Sequence, residues 1–484
     1  MTFRTRILSA AGGLFFLTIF ISSFANTWGI YDSAWKMITA LVATVVVTLL
    51  VIHWATTRLS RKMFLIVFLL LGLACRVAWI IWNPASPESD FLFMYTAAQE
   101  AASGNFAFSD SAYYISFPYQ LGFTMYEAAV IKLFGNHLII FKLLNALFSI
   151  GTAVALYLSA SKVFHESCGR IAAMVYLFYI PNIIMCSVLT NQHLSVFLFL
   201  LGSLLLLRGK DSVSYWLLAG LAIGLGHLIR PVGIVYLAGV VLFVLLIIGQ
   251  QWRGPIKRQA AVTAGKLGAV IVMYYLVQLL ASTTLISSGV TQHSLFDGDK
   301  YWKFMVGLNA EKNGSWNLED ANYTKQYAFG EERHKAELSK IKERLENKSE
   351  LTALLGRKLV TMWGSPDSSP YWSLRGLDKW ELEQKLNQWE GPMYALMCAF
   401  GVVSMIALWR TGNDGGEVLL YLFLLLLYVG AHLLVENQPR YRLDFVPVLI
   451  LLQSYGAYQI GSWMQGRRSA TLDKSWKGER GVGI

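Results

Sequence analysis

The chain has 484 residues, of which 55% are hydrophobic and 15% charged, with a mean hydropathy of +0.46 and a formal net charge of +11. Such apolarity excludes a soluble protein of this size and fits a chain that crosses a bilayer repeatedly, each crossing needing about 20 apolar helical residues. The positive charge is not a nucleic-acid footprint, because it falls in short clusters between apolar runs.

In chain order the predicted spans are 7–26, 37–55, 63–82, 138–160, 171–188, 193–207, 215–229, 232–249, 262–285, 392–408, 418–435 and 445–464, about twelve in all. Those starting at 193 and 215 are short and call for shelter between other helices or for extension by their neighbours. The first run, behind Arg4 and Arg6, also fits a signal peptide ending at Ser23-Phe24-Ala25. An uncleaved span fits the same residues, and the later topology is the same either way.

Basic residues recur in alternate connections: Arg4 and Arg6; Arg58, Arg61 and Lys62; Lys162 and Arg170; Arg208 and Lys210; Arg253, Lys257 and Arg258; Arg410; Arg467 and Arg468. This positive-inside pattern predicts a plasma-membrane protein with both termini cytoplasmic and the loop after Trp82 outside. Four regions follow: an N-terminal transmembrane module, 1–285, with a first outer loop at 83–137; an extracytoplasmic region, 286–391; C-terminal transmembrane helices, 392–464; and a cytoplasmic tail, 465–484.

The first outer loop opens NPASPESDFLFMYTAAQEAASGN from Asn83. Ser86-Pro87-Glu88 is a favourable helix start and Gly104-Asn105 a stop. Between them Phe91, Met94, Ala98 and Ala101 recur at helical spacing, which predicts an interfacial helix lying on the bilayer. Residues 121–135 are apolar but interrupted by Glu127 and Lys132; a span here would invert the later charge pattern, so this too reads as an interfacial or re-entrant helix.

Residues 297–316 look loop-like, 331–349 predict a charged and solvated surface helix, and 351–364 an amphipathic return to the interface. Trp302, Trp316 and Trp363 are candidates for stacking on sugar, although interfacial anchoring explains each as well. The triplets at Asn313, Asn322 and Asn347 would be glycosylation acceptors only in a eukaryotic secretory setting. Cys75, Cys168, Cys186 and Cys398 have no paired spacing and read as small buried side chains.

Glu88 and Asp90 stand where the chain leaves the third span, and acids in a first helical turn gain about 0.3–1 kcal/mol from the helix dipole. That alone would account for them. However, Arg76, Lys142, Arg230 and a cluster of Glu436, Arg440, Arg442 and Asp444 reach the same level from separate parts of the chain. An acid among cations at one membrane surface suits a lipid-linked phosphate. Arg and Lys hold the phosphate and stabilise it as it leaves, while a carboxylate takes a proton from an attacking hydroxyl. That is glycosyl transfer from a polyprenyl-phosphate sugar.

The same residues resemble the membrane-embedded GT-C glycosyltransferases, especially the branch holding the dolichyl-phosphate-mannose protein mannosyltransferases and the lipid A aminoarabinose transferases, glycosyltransferase family 39-like. SDFLFMYTAAQEAASGN is similar to the family's first outer-loop helix through Asp90, Tyr95, Ala97, Ala98 and Gly104; Phe117-Pro118 through Gly135 is similar to its Pro-led second helix. FKLLNALFSIGTA carries Lys142 where the mannosyltransferases carry Arg. GLAIGLGHLIRPVG with Arg230, and NQPRYRLDFVPVL with Arg440 and Tyr441, resemble two further signatures.

The resemblance implies an all-α, GT-C polytopic fold and an inverting transferase that moves a sugar from a polyprenyl (undecaprenyl) phosphate to a cell-envelope hydroxyl. Asp90 would be the base with Glu88 beside it. Lys142, Arg230, Arg440, Arg442 and Arg76 would hold the donor phosphate, and Tyr95, His193, Glu436, Gln438 and Tyr441 would face sugar or acceptor. The implied partners are the lipid-linked donor, a glycan, lipid or protein acceptor, and the bilayer, with no nucleic acid. No cofactor is required with certainty. The family's pairing of its Asp with an adjacent Glu is absent here, since Phe91 follows Asp90, and Asn191-Gln192-His193 replaces an acidic residue, which weakens the case for a divalent cation. A secondary transporter, or a ligase or polymerase of undecaprenyl-diphosphate glycans, is the alternative; the charges at one surface and the lack of an internal repeat weigh against the transporter.

Overall fold

The computed structural model describes residues 2–209, 212–253, 257–411 and 416–464; Lys210 and the predicted tail 465–484, with Arg467 and Arg468, lie outside the described residues. Among these residues the chain is helical with no strand. The first three helices are α1 (Thr2–Ile30), α2 (Ala34–Thr57) and α3 (Arg61–Trp82), the latter two capped by the hydroxyls of Ser33 and Ser60. The first loop holds α4 (Asp90–Ala102), α5 (Ala112–Ser116) and α6 (Leu121–Phe134).

Seven helices follow: α7 (Leu138–Val163), α8 (Glu166–Phe178), α9 (Ile180–Ile184), α10 (Gln192–Arg208), α11 (Val213–Ile229), α12 (Gly233–Arg253) and α13 (Lys257–Ser287). The second loop region folds as α14 (Trp302–Gly307), α15 (Leu318–Lys325), α16 (Glu331–Glu346), α17 (Lys348–Gly364) and α18 (Ser369–Leu374). Then come α19 (Trp380–Thr411), α20 (Glu417–Leu434), a 3-10 turn at Pro439–Asp444, and α21 (Val446–Met464).

The protein is therefore an all-helical polytopic membrane protein, and every predicted span is at least largely helical. The count of twelve is not confirmed: among the described residues eight helices are long and apolar enough to cross a membrane, nine if α8 and the broken turn after it, bent by 61°, make one span. The helices α10 and α11 are apolar but short. The remaining one, α21, is enclosed by protein, with Val448 to Leu452 at most 1% exposed. A helix surrounded by other helices needs neither full length nor an apolar outer face. Close backbone approach makes this possible: a Cβ on Gly456 of α21 would sit 1.8 Å from the Phe400 carbonyl oxygen of α19.

Arg76 is taken up by this interior. Fully buried, it donates from Nε to Ser149 Oγ at 2.9 Å and from Nη1 to the carbonyls of Gly72 and Leu177, both at 2.9 Å. The Leu177 carbonyl is one that the break between α8 and α9 releases, so the cation repairs a helix end instead of meeting a phosphate.

Several local expectations need correction. The first loop helix starts at Asp90, not Ser86, because tertiary bonds keep 83–89 extended. Asn83 accepts the Ala85 N–H at 3.0 Å and donates to the Ser373 carbonyl at 2.7 Å; Lys142 binds the Ala85 carbonyl at 2.7 Å and that of Asn83 at 3.3 Å. Ser89 then turns with φ +55°. Phe91, Met94, Ala98 and Ala101 are buried against the protein, with α6 packed on α4, and not against lipid. Residues 302–307 are helical within the stretch that looked like loop. Cys75 is exposed while the other three cysteines, all free, are buried.

The charged helix α16 is not solvated on every face. Arg333 pairs with Asp299 at 3.2 Å, and Glu337 is fully buried beside them. Burial, helped by Asp299 and opposed by Arg333, pushes the Glu337 carboxyl up from 4.5 to about 8. The folded protein thus keeps a proton that the unfolded chain releases, so this contribution to stability is full below the unfolded value and is lost as pH rises toward the folded one. The Tm of the wild type is expected to fall relative to that of Glu337→Gln as pH is raised from 5 to about 8; parallel curves in a detergent thermal melt would refute it.

Candidate active site

Residues 433–444, leaving α20, carry a row of charge that is positioned by the second loop region. The Glu436 N–H donates to the Lys303 carbonyl at 2.8 Å and the Asn437 N–H to that of Gly314 at 2.7 Å. Lys358 of α17, almost fully buried, saturates its ammonium on the carbonyls of Gly307 and Leu433 at 2.7 Å and Val435 at 2.8 Å. The backbone under the charged side chains is therefore fixed from three directions.

On this frame the side chains form a relay. Glu436, 1% exposed, pairs with Lys303 and accepts from Gln438 Nε2 at 2.5 Å, and Gln438 Oε1 in turn accepts from Arg440 Nε at 2.8 Å. Burial works against both members of the Lys303–Glu436 pair, yet their mutual attraction outweighs it, holding Lys303 well above and Glu436 below its ordinary pKa. The Arg440 guanidinium lies 4.5 Å from the Trp372 ring, 5.2 Å from Phe91 and 5.7 Å from Tyr441. Arg230 stacks on Tyr441 at 5.3 Å, pairs with Asp444 at 2.7 Å and donates to Asn191 Oδ1 at 2.9 Å. Asp444 also accepts from Gln192 at 2.8 Å.

Of the three cations, Lys303 and Arg230 have carboxylate partners, and Arg440 has none among the described residues. It is flanked by aromatic faces, which attract a cation without neutralising it. Phe91, one of those faces, is the residue after Asp90. Asp90 is the first residue of α4, is exposed, and makes no hydrogen bond or ion pair among the described residues. Tyr113, raised above the ordinary phenol range by burial and then by Asp90, is also within electrostatic reach of Lys303. An unengaged carboxylate at Asp90 thus adjoins, through Phe91 and Tyr113, a partly uncompensated cation row, a combination suited to proton abstraction near an anion.

The structure thus gathers Arg230, Glu436, Gln438, Arg440 and Tyr441 of the sequence-predicted set, with Asp90 next to Phe91, which Arg440 faces. Glu88 is on the flank, paired with Arg375 at 2.6 Å, whose guanidinium also lies over Trp372. Others do not join. Arg442, fully buried, is bound to Asp367 at 3.0 Å and to the Trp363 and Ser365 carbonyls at 3.2 Å. Lys142 holds the loop before α4, and Arg76 the break after α8. Tyr95 donates to Asn136 at 2.5 Å, and His193 is buried in the first turn of α10.

Sequence reasoning missed Lys303, Trp372 and Lys358, for which the local sequence has no signal. It also offered Trp302 and Trp363 as sugar platforms, but both are buried; Trp316 alone of that trio is exposed. Among the described residues no group of three or more His, Cys, Asp or Glu side chains is arranged to hold a metal ion.

Residues 123–277 match the family model described as dolichyl-phosphate-mannose-protein mannosyltransferase. That segment resembles this family. The mannosyltransferase match covers about a third of the chain, from α6 to α13, including Lys142 and Arg230 but neither Asp90 nor residues 436–444. No curated protein matches. Solved structures similar to the chain include the archaeal oligosaccharyltransferase AglB from Archaeoglobus fulgidus in complex with an inhibitory peptide and a dolichol-phosphate, at 12% identity and a TM-score of 0.46, covering 88% of this chain and 53% of that one. The Archaeoglobus fulgidus oligosaccharyltransferase tethered to an acceptor peptide is also similar, at 12% identity and a TM-score of 0.47 over 85% of this chain and 51% of that one. The chain spans about half the length of these structures.

Proposed function

We propose that the protein is an inverting glycosyltransferase that moves a sugar from a polyprenyl phosphate to a hydroxyl of a cell-envelope acceptor on the outer face of the membrane. The observation that supports this reading is that Phe91, the residue next to the unbonded Asp90, lies 5.2 Å from the Arg440 guanidinium, and that Tyr113 is within electrostatic reach of both Asp90 and Lys303; the mannosyltransferase match supports it as well. Asp90 takes the proton of the acceptor hydroxyl as its oxygen attacks the anomeric carbon from the side opposite the phosphate. The bond between that carbon and the phosphate oxygen breaks, and the released phosphate gains negative charge. Arg440, with Arg230 and Lys303 behind it, stabilises that charge. The domain division given above and cytoplasmic termini belong to the same reading, with residues 286–391 covering the acceptor side.

The test is sugar release from a panel of radiolabelled polyprenyl-phosphate hexoses and pentoses by the purified protein in detergent, with membrane extract as acceptor. Transfer from one donor is expected, and that donor names the sugar. A folded protein that uses none of them returns the assignment to a transporter or a diphosphate-glycan ligase.

A further inference from the structure

Far from the charge row, α2, α8 and α21 enclose a half-open cavity of about 320 Å³. Helix α21 starts just after Asp444 but meets this cavity at Tyr458, Gly461 and Ser462, roughly 20–27 Å further along at 1.5 Å per residue. The lining changes character in one direction. Toward the rim α2 passes from Leu50 to Thr57, α8 from Ile171 to Ser167, and α21 from Tyr458 to Ser462.

The polar rim is also the cationic one. Arg58 follows Thr57 and, like Lys62, is exposed; no acidic side chain lines the cavity. Helix α8 begins at this rim without a side-chain cap, so its dipole and its first N–H groups favour an anion there, while Glu166 beside it is neutralised by Arg170 at 2.8 Å. The apolar end is reached from the bilayer side, since α2 is the least buried of the long apolar helices, with Val46, Val47 and Leu50 exposed.

We propose that this cavity binds a phosphate-bearing membrane lipid. Its chain lies against Leu50 and Ile171, and its phosphate meets Ser167, Ser462 and Arg58. An apolar chain leading to a charged head is what the graded lining fits, and a juxtamembrane cation attracts an anionic headgroup.

Gly461, which lines the cavity, gives a test, because a Cβ built on it meets nothing within 4 Å, so a side chain can start there without a clash at its first atom, and Gly461→Phe is expected to occupy the cavity. The full-length protein, delipidated in detergent, is titrated in native mass spectrometry with phosphatidylglycerol and with diacylglycerol of the same chains. Wild type is expected to retain one phosphatidylglycerol at least about tenfold more tightly than diacylglycerol. Gly461→Phe loses that binding with an unchanged thermal melt, and Arg58→Ala brings the two lipids together. The proposal is overturned if the full chain binds no phosphatidylglycerol, if Gly461→Phe binds it as wild type does, if both lipids bind equally, or if inorganic phosphate alone displaces it.

Discussion

Asp90→Asn is expected to lower sugar transfer by about 10²–10⁴-fold, the range general-base catalysis supplies, while the protein stays folded. The separation follows from the contacts. The carboxylate is exposed and bonds nothing among the described residues, so the amide removes only its share of the helix-dipole interaction, about 0.3–1 kcal/mol. A residue whose only cost is catalytic gives a lower kcat at an unchanged melt. Glu88→Gln provides the contrast: its carboxylate is tied to Arg375, so a smaller loss is expected there. Transfer by Asp90→Asn at the wild-type rate would reduce Asp90 to a helix-start acid.

The second large effect is on stability. Arg442→Met is expected to destabilise the protein by about 3–5 kcal/mol, because it leaves the Asp367 carboxylate buried and uncompensated; Asp367 is 3% exposed and Arg442 fully buried. Arg440, two positions earlier, behaves in the opposite way. Its guanidinium is partly exposed and has no carboxylate partner among the described residues, so Arg440→Gln should melt near wild type and lose transfer. Measuring the thermal midpoint and the transfer rate of both variants separates the roles. Combining Arg442→Met with Asp367→Leu should recover part of the lost stability, since the orphaned charge is gone. Equal melts for Arg442→Met and wild type would contradict the buried-pair account.

This contrast also marks how far the sequence could be read. The bundle was legible because a bilayer demands long apolar helices, and α3 and α7 meet that demand residue by residue. The cluster of Glu436, Arg440, Arg442 and Asp444 was legible as charge at one membrane level. Which of Arg440 and Arg442 stays available was not, because the decision rests on Asp367, 75 positions away. Likewise the start of α4 is set by Asn83, Lys142 and Arg375 acting across the fold, which overrides the favourable Ser86-Pro87 signal. Lys303 could not be found at all, since only the folded second loop region brings it to Glu436. The span count of twelve is not matched by the length-and-apolarity count for a related reason. Apolarity measures what a helix tolerates around it, and α21 is buried in protein from Val446 to Ala457.

The order of the site along the chain has a consequence during synthesis. Asp90 leaves the ribosome some 350 positions before Arg440, which at about 5–20 residues per second is an interval of roughly 20–70 s. Arg230 and Lys303 appear within that interval, but the row is incomplete until Arg440 follows, so on the proposed mechanism a truncated or stalled chain is expected to be catalytically silent even when most of its helices are already in the membrane. On that proposal, competence arrives only once residues 436–444 have been translated.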